Sequence, residues 1–149
     1  MNFNIFSKKE QSPSIKNSMY VIATELVPYR LNANKINSLI LFIRVKNITK
    51  DSLLTSLDII APSNLGFNEN LLLKQKQINI GELLPNNEKE LKIEVFGNTE
   101  TDQGEYTLNI NTIAHFRDYS HVINSINKSI ILTISPFSHG IEFSAPSAV

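Results

Sequence analysis

The chain has 149 residues, and its 14 Lys and Arg are balanced by 14 Asp and Glu, with no cysteine and no tryptophan. That length supports one domain with its own core rather than two. Charge balance leaves no field of one sign to draw nucleic acid or anionic lipid, and the lack of cysteine excludes disulfides and thiol catalysis.

Residues 1–17 show no period and are expected to form a flexible N-terminal segment. They contain no apolar stretch long enough for a signal peptide, and no window of the chain reaches the roughly 18 apolar residues of a membrane span. The expectation is a cytoplasmic chain, with an extracellular or virion setting left open. Asn47-Ile48-Thr49 and Asn127-Lys128-Ser129 match the glycosylation pattern, but with no secretion signal both read as chance.

From residue 18 onward, period-two patterns dominate and helical ones are hard to find. Tyr20, Ile22, Thr24 and Leu26 alternate until Pro28 interrupts, which suits an edge strand. Leu39, Leu41, Ile43 and Val45 form the inward file of a second strand, whose other face carries Ile40 and Phe42 before turning polar. Those two residues need cover from a terminal segment of the chain or from a second subunit. A turn over Asn47 to Ser52 leads to a third strand, "LLTSLDIIAP", closed by Pro62.

The middle of the chain is less regular. "SNLGFNEN" reads as a loop, Leu71-Leu72-Leu73 as a strand or a short helical turn with length favouring strand, and Ile78 and Ile80 alternate before Gly81. After the turn "LPNNEKE", Leu91, Ile93 and Val95 point in while Lys92 and Glu94 point out. The loop "NTETDQG" opens a long strand with Tyr106, Leu108, Ile110, Thr112, Ala114 and Phe116 on one face. Arg117 to Ser120 connects it to the last strand, "HVINSINKSIILTI". About seven strands separated by turn signals are the pattern of a sandwich over residues 18–136. Residues 137–149 form an expected tail that Phe137, Ile141 and Phe143 could anchor.

Asp102-x-Gly104-x-Tyr106-x-Leu108 resembles the D-x-G-x-Y-x-C corner of immunoglobulin-type sandwiches, with Leu108 at the cysteine position. The resemblance implies a structural corner: Gly104 permits the turn, and Tyr106 closes the core and bonds a backbone carbonyl. More broadly, "FIRVKNIT", "INIGELLPNNEKELKIEV" and "GEYTLNI" follow the order seen in the cell-adhesion-related CARDB-type domains of bacteria and archaea. That likeness covers roughly residues 38 to 135. It implies an all-β fold, a single antiparallel immunoglobulin-like β-sandwich. Lacking cysteines and tryptophan, the chain departs from the immunoglobulin pattern, so Leu57 or Ile59 is expected at the central core position.

Catalytic and cofactor-binding residues are not found. There is no G-x-S-x-G elbow and no phosphate-binding glycine loop, and the serines sit among Asn and Ile rather than beside a base. His115, Asp118 and His121 could ligate zinc, but His115 and an inward Phe116 would point to opposite faces, so they read as solvated loop polars and no metal is expected. Phe116, Arg117 and Tyr119 are the interface-type residues of the last hairpin, which an immunoglobulin-like topology places at the same end as the Asn47 turn. Phe116, Arg117, Tyr119 and Asn47 are therefore the candidate partner-binding residues, against the plainer reading that Phe116 ends the core and Tyr119 covers it. The expected function is a non-enzymatic protein-interaction or assembly module, an adaptor or accessory subunit acting on an unknown protein partner. A self-assembling structural protein is the alternative, and a carbohydrate-binding module ranks lower for want of aligned aromatics.

Overall fold

Alternation of apolar and polar residues decides the architecture, because each strand must bury one face and wet the other. The structure, a computed structural model, describes residues 18–136; the expected N-terminal segment and tail, with Phe137, Ile141 and Phe143, lie outside the described residues. Eight strands follow in order: β1 (Tyr20–Val27), β2 (Arg30–Asn32), β3 (Asn37–Asn47), β4 (Leu53–Ile60), β5 (Gln75–Leu83), β6 (Glu88–Gly97), β7 (Gly104–His115) and β8 (Val122–Ser135). They form a three-stranded sheet, β1-β3-β6, packed on a five-stranded sheet, β2-β8-β7-β4-β5. All pairings are antiparallel except β2 with β8. This is an all-β, immunoglobulin-like sandwich.

The core is two inward files. Leu39, Leu41, Ile43, Val45, Ile93 and Val95 of the first sheet face Leu57, Ile59, Leu108, Ile110, Leu132 and Ile134 of the second, all but fully buried. Leu57 and Ile59 do occupy the centre, with Ile59 paired directly across from Ile110. Ile40 and Phe42 are half-buried within their own sheet. Phe42 lies between Glu25 and Lys92 in register, and the Lys92 ammonium sits 5.7 Å from its ring centre, so neighbouring stems supply cover.

The strands number eight where about seven were expected, because after Val27 the chain leaves the first sheet and adds β2 to the second. Three residues between two loops carry too little period to be seen as a strand. Leu71-Leu72-Leu73 forms neither strand nor helix: Leu71 turns at φ 60 and buries its side chain, while Leu72 is exposed. That loop is held by Lys74, whose ammonium donates to the carbonyls of Pro62 (3.3 Å), Ser63 (2.6 Å) and Leu65 (2.6 Å). Partial burial pulls the Lys74 ammonium below the usual lysine value. Finally, Phe116 does not end the inward file of β7 but is 55% exposed. A bulge opposite Ala114 and His115 leaves Ile123 unpaired, and the strand ends one residue short of Phe116.

The corner around Tyr106 is formed. Gly104 has φ 147, a region other residues rarely adopt, and the Tyr106 hydroxyl donates to the Asp102 carbonyl at 2.9 Å. At the other end, Asn47 is fully buried and all its amide positions are used. Its Nδ2 donates to the carbonyls of Asp51 and Leu83, both at 2.8 Å, and its Oδ1 accepts from the Thr49 amide (2.8 Å) and hydroxyl (2.7 Å). Asn47 is therefore unavailable to a partner, which removes it from the partner-binding residues.

Asn47→Asp should cost about 2–3 kcal/mol in urea unfolding, because a carboxylate would face two carbonyls with no donor to offer them. Tyr106→Phe should cost only about 0.5–1 kcal/mol, since its single bond lies near the surface; full stability of that variant would remove the corner's energetic role.

Candidate functional site

The β7–β8 hairpin is closed by Phe116, whose amide donates to the His121 carbonyl at 2.9 Å. Four residues, Arg117 to Ser120, span the tip. Arg117 adopts φ 71, a left-handed conformation that costs a branched or long side chain roughly 1–2 kcal/mol relative to glycine. Its guanidinium carbon lies 5.0 Å from the centre of the exposed Phe116 ring. Beside them, Val122 is 62% exposed and Tyr119 lies at the boundary of exposure.

Tyr119 folds back over the outer face of the five-stranded sheet and meets the His115 ring edge-on, 5.1 Å between centres. His115 is thereby buried although it sits on an outer face, and its Nε2 lies 2.7 Å from the Ser56 hydroxyl on the neighbouring strand. They line a concavity of about 390 Å³ together with Leu57, Gln77, Asn79, Ile113, Tyr119 and Val122. The only ionisable side chain in this lining besides the tyrosine is the histidine. Phe116, Arg117, Tyr119 and Val122 thus lie on or beside the β7–β8 hairpin, and Asn47 is buried at the end of β3.

The serines do not all lie away from a base, as the sequence implied, because β4 and β7 pair in a register that sets Ser56 beside His115. A serine on an imidazole is the beginning of a nucleophilic site, but His115 Nδ1 is buried with no hydrogen-bond partner to orient the ring. Two readable signals pointed to this face: Ser56 breaks the apolar run of β4 at an outward position, and Gln75, Gln77 and Asn79 alternate along β5. The long-range pairing that joins them was not local.

His115 and His121 point apart. His121 Nδ1 pairs with Asp118 at 2.8 Å on the exposed tip, and among the described residues no group of three His, Asp or Glu is placed to hold a metal ion. Hydrogen bonds from the Ser120 hydroxyl, from His121 and from the Ser120 amide hold Asp118 below the usual carboxylate range, at about 2. The exposed aromatics do not align: Tyr29, with Arg30 over its ring, sits at the β1–β2 joint by the far end of β8. No helix among the described residues is long and apolar enough to cross a membrane.

No protein-family profile matches the chain, and no curated protein is similar to it in sequence. Solved structures share its fold. A chain of the complex between zinc 2-glycoprotein and prolactin inducible protein from human seminal plasma is 12% identical, with 80% of this chain and 98% of that one covered at a TM-score of 0.52. The CARDB domain of a Pyrococcus furiosus protein, solved with two metal ions, is 17% identical, covering 80% and 96% at 0.45. The bacterial hydrophobin BslA is 12% identical, covering 81% and 97% at 0.47. At these identities the likeness is one of fold alone.

Asp118 is stabilised in its charged form, so its contribution to the hairpin tip is present above about pH 4 and is lost as pH falls toward 2. The Ser120 amide resonance should titrate near the lower value, and Asp118→Asn should remove the transition. Titration near 4 in the native chain would mean the tip bonds do not form in solution.

Proposed function

We propose that the protein is a non-enzymatic protein-interaction module, an adaptor or accessory subunit, that holds its partner at the β7–β8 hairpin. The observation that carries this reading is the exposed Phe116–Arg117 pair on a hairpin whose backbone holds Arg117 at φ 71. Exposed aromatics and arginine are the residue types that anchor interfaces, and a left-handed arginine is disfavoured unless something else retains it. Arg117 has no ion pair with a carboxylate within the described residues that would explain its retention. The adjoining concavity offers amides, a serine and a tyrosine ring, which suits a polar peptide segment more than a charged ligand. A fold shared with a chain found in a protein complex is compatible with the reading and does not specify a partner.

The alternative, a self-assembling structural protein, draws on a different feature, the β8 edge, which has no strand partner from Val122 to Leu132 among the described residues. Catalysis finds less support, since the Ser56–His115 pair lacks its third member.

Arg117→Ala combined with Tyr119→Ala should reduce partner capture at least tenfold while shifting stability by less than about 1 kcal/mol. Arg117→Gly separates the two properties. It should leave stability unchanged or raise it by up to about 1 kcal/mol, because glycine accepts the left-handed backbone, and still weaken capture. A partner held equally by native and variant chains would refute the hairpin as the contact surface.

A further inference from the structure

The two outer faces of the sandwich differ in charge. On the three-stranded sheet Arg44 lies between Ala23 and Glu90, and Phe42 between Glu25 and Lys92, so both signs mix as on an ordinary wetted surface. On the five-stranded sheet two cross-strand rows read Gln75–Ile60–Asn109–Ser129 and Gln77–Asp58–Asn111–Asn127. A third, Asn79–Ser56–Ile113–Ser125, leads into the concavity below Tyr119. Asp58 is the one charged residue in these rows, and no Lys or Arg stands among them. Asparagine is depleted in strands, yet Asn109, Asn111 and Asn127 are neighbours here.

Adjacent side chains hold one another in place. Asn127 Nδ2 donates to Asn111 Oδ1, the Ser129 hydroxyl donates to Asn109 Oδ1, and Gln75 Nε2 donates to Asp58 Oδ1, each at 2.7 Å. With their oxygens engaged, Asn109 and Asn111 keep Nδ2 donors that have no partner among the described residues, and the Gln77 amide has none either. Same-face residues repeat about every 6.8 Å along a strand, and strands lie about 4.8 Å apart. The rows are therefore a lattice of fixed donors and acceptors, and side chains already held lose little freedom when a ligand docks.

We infer that this face binds a neutral carbohydrate chain, laid across β4, β7 and β8 on the rows of Asn109 and Asn111. A sugar hydroxyl both donates and accepts, as amides and serine hydroxyls do in sum. The two Nδ2 groups donate to sugar oxygens, and the second Asp58 oxygen accepts from a sugar hydroxyl in a charge-assisted bond. A phosphate, sulfate or uronate finds no cation in these rows and meets the Asp58 charge, so charge complementarity selects an uncharged chain. A peptide needs a strand edge or apolar pockets to anchor it. Here the backbone groups are paired within the sheet, and the exposed apolar residue of these rows is Ile60 alone. The inference goes beyond the hairpin reading and uses residues that the hairpin variants leave untouched, so each can fail alone.

No ring lies in these rows to stack on a sugar, so the bonds are weak singly, and the test reads resonance shifts rather than capture. The isotope-labelled full chain is titrated with hexasaccharides of glucose, of xylose and of mannose, and with a hexamer of galacturonic acid as the anionic counterpart. The expected result is a saturable shift of the Asn109, Asn111 and Asn127 side-chain amides with a neutral hexamer, and affinity at least tenfold weaker for galacturonate. Asn109→Ala combined with Asn111→Ala should weaken the sugar at least tenfold, while Arg117→Ala leaves it unchanged. Asn111→Asp, whose carboxylate still accepts from Asn127, should also lose at least tenfold, because a donor is replaced by a second charge beside Asp58. Absence of any shift with all three neutral hexamers would overturn the proposal, as would an equal response to galacturonate. Shifts confined to residues 117–122 would assign the sugar to the hairpin and overturn this face as its site. Partner capture by the hairpin variants is a separate readout that neither result moves.

Discussion

The buried amide of Asn47 is the constraint on which one end of the sandwich depends. A single side chain closes the β3–β4 turn through Thr49 and Asp51 and reaches β5 through the Leu83 carbonyl. Its backbone completes the junction, since its amide donates to the Asn87 carbonyl and its carbonyl accepts from the Asn86 amide. Two turns and both sheets therefore meet at one residue. Such a group is costly to bury unsatisfied and specific when every position is filled, and here it fixes where β4 begins relative to β5. Nearby, the Tyr20 hydroxyl and the Thr55 hydroxyl lie 2.8 Å apart across the two sheets, and burial raises the Tyr20 pKa despite that bond. Polar contacts between the layers tie the sheets' relative position to residues, where apolar packing alone would tolerate sliding.

That register propagates outward. β4 starts at a defined point, so alternation along it sets Ser56 facing out, and a bulge on β5 at Ile80, next to Gly81 at φ 95, brings Asn79 opposite Ser56. β7 pairs with β4 so that His115 falls beside Ser56, and the bulge on β8 then shortens the strand pair before Phe116. Phe116 is exposed because of where the ladder ends, not because of its composition. The concavity and the exposed ring thus lie where the ladders are interrupted by two bulges, which are common where a strand must re-aim a side chain.

Much of this was legible along the chain. The inward files of β3, β6 and β7 were written as strict alternation, and Gly104 with Tyr106 marked the corner. What could not be read depended on partners distant in sequence. β2 is a strand only because β8 lies beside it, Leu71 is buried only because a loop is folded under it, and Asn47 looked like a turn residue free to meet a partner. Period-two reading also assumes an unbroken strand, so it carried Phe116 inward past the bulge. Of the candidate site, Phe116, Arg117 and Tyr119 were visible as residue types on a hairpin. Ser56, Gln77 and Asn79 belong to strands whose adjacency no local pattern discloses.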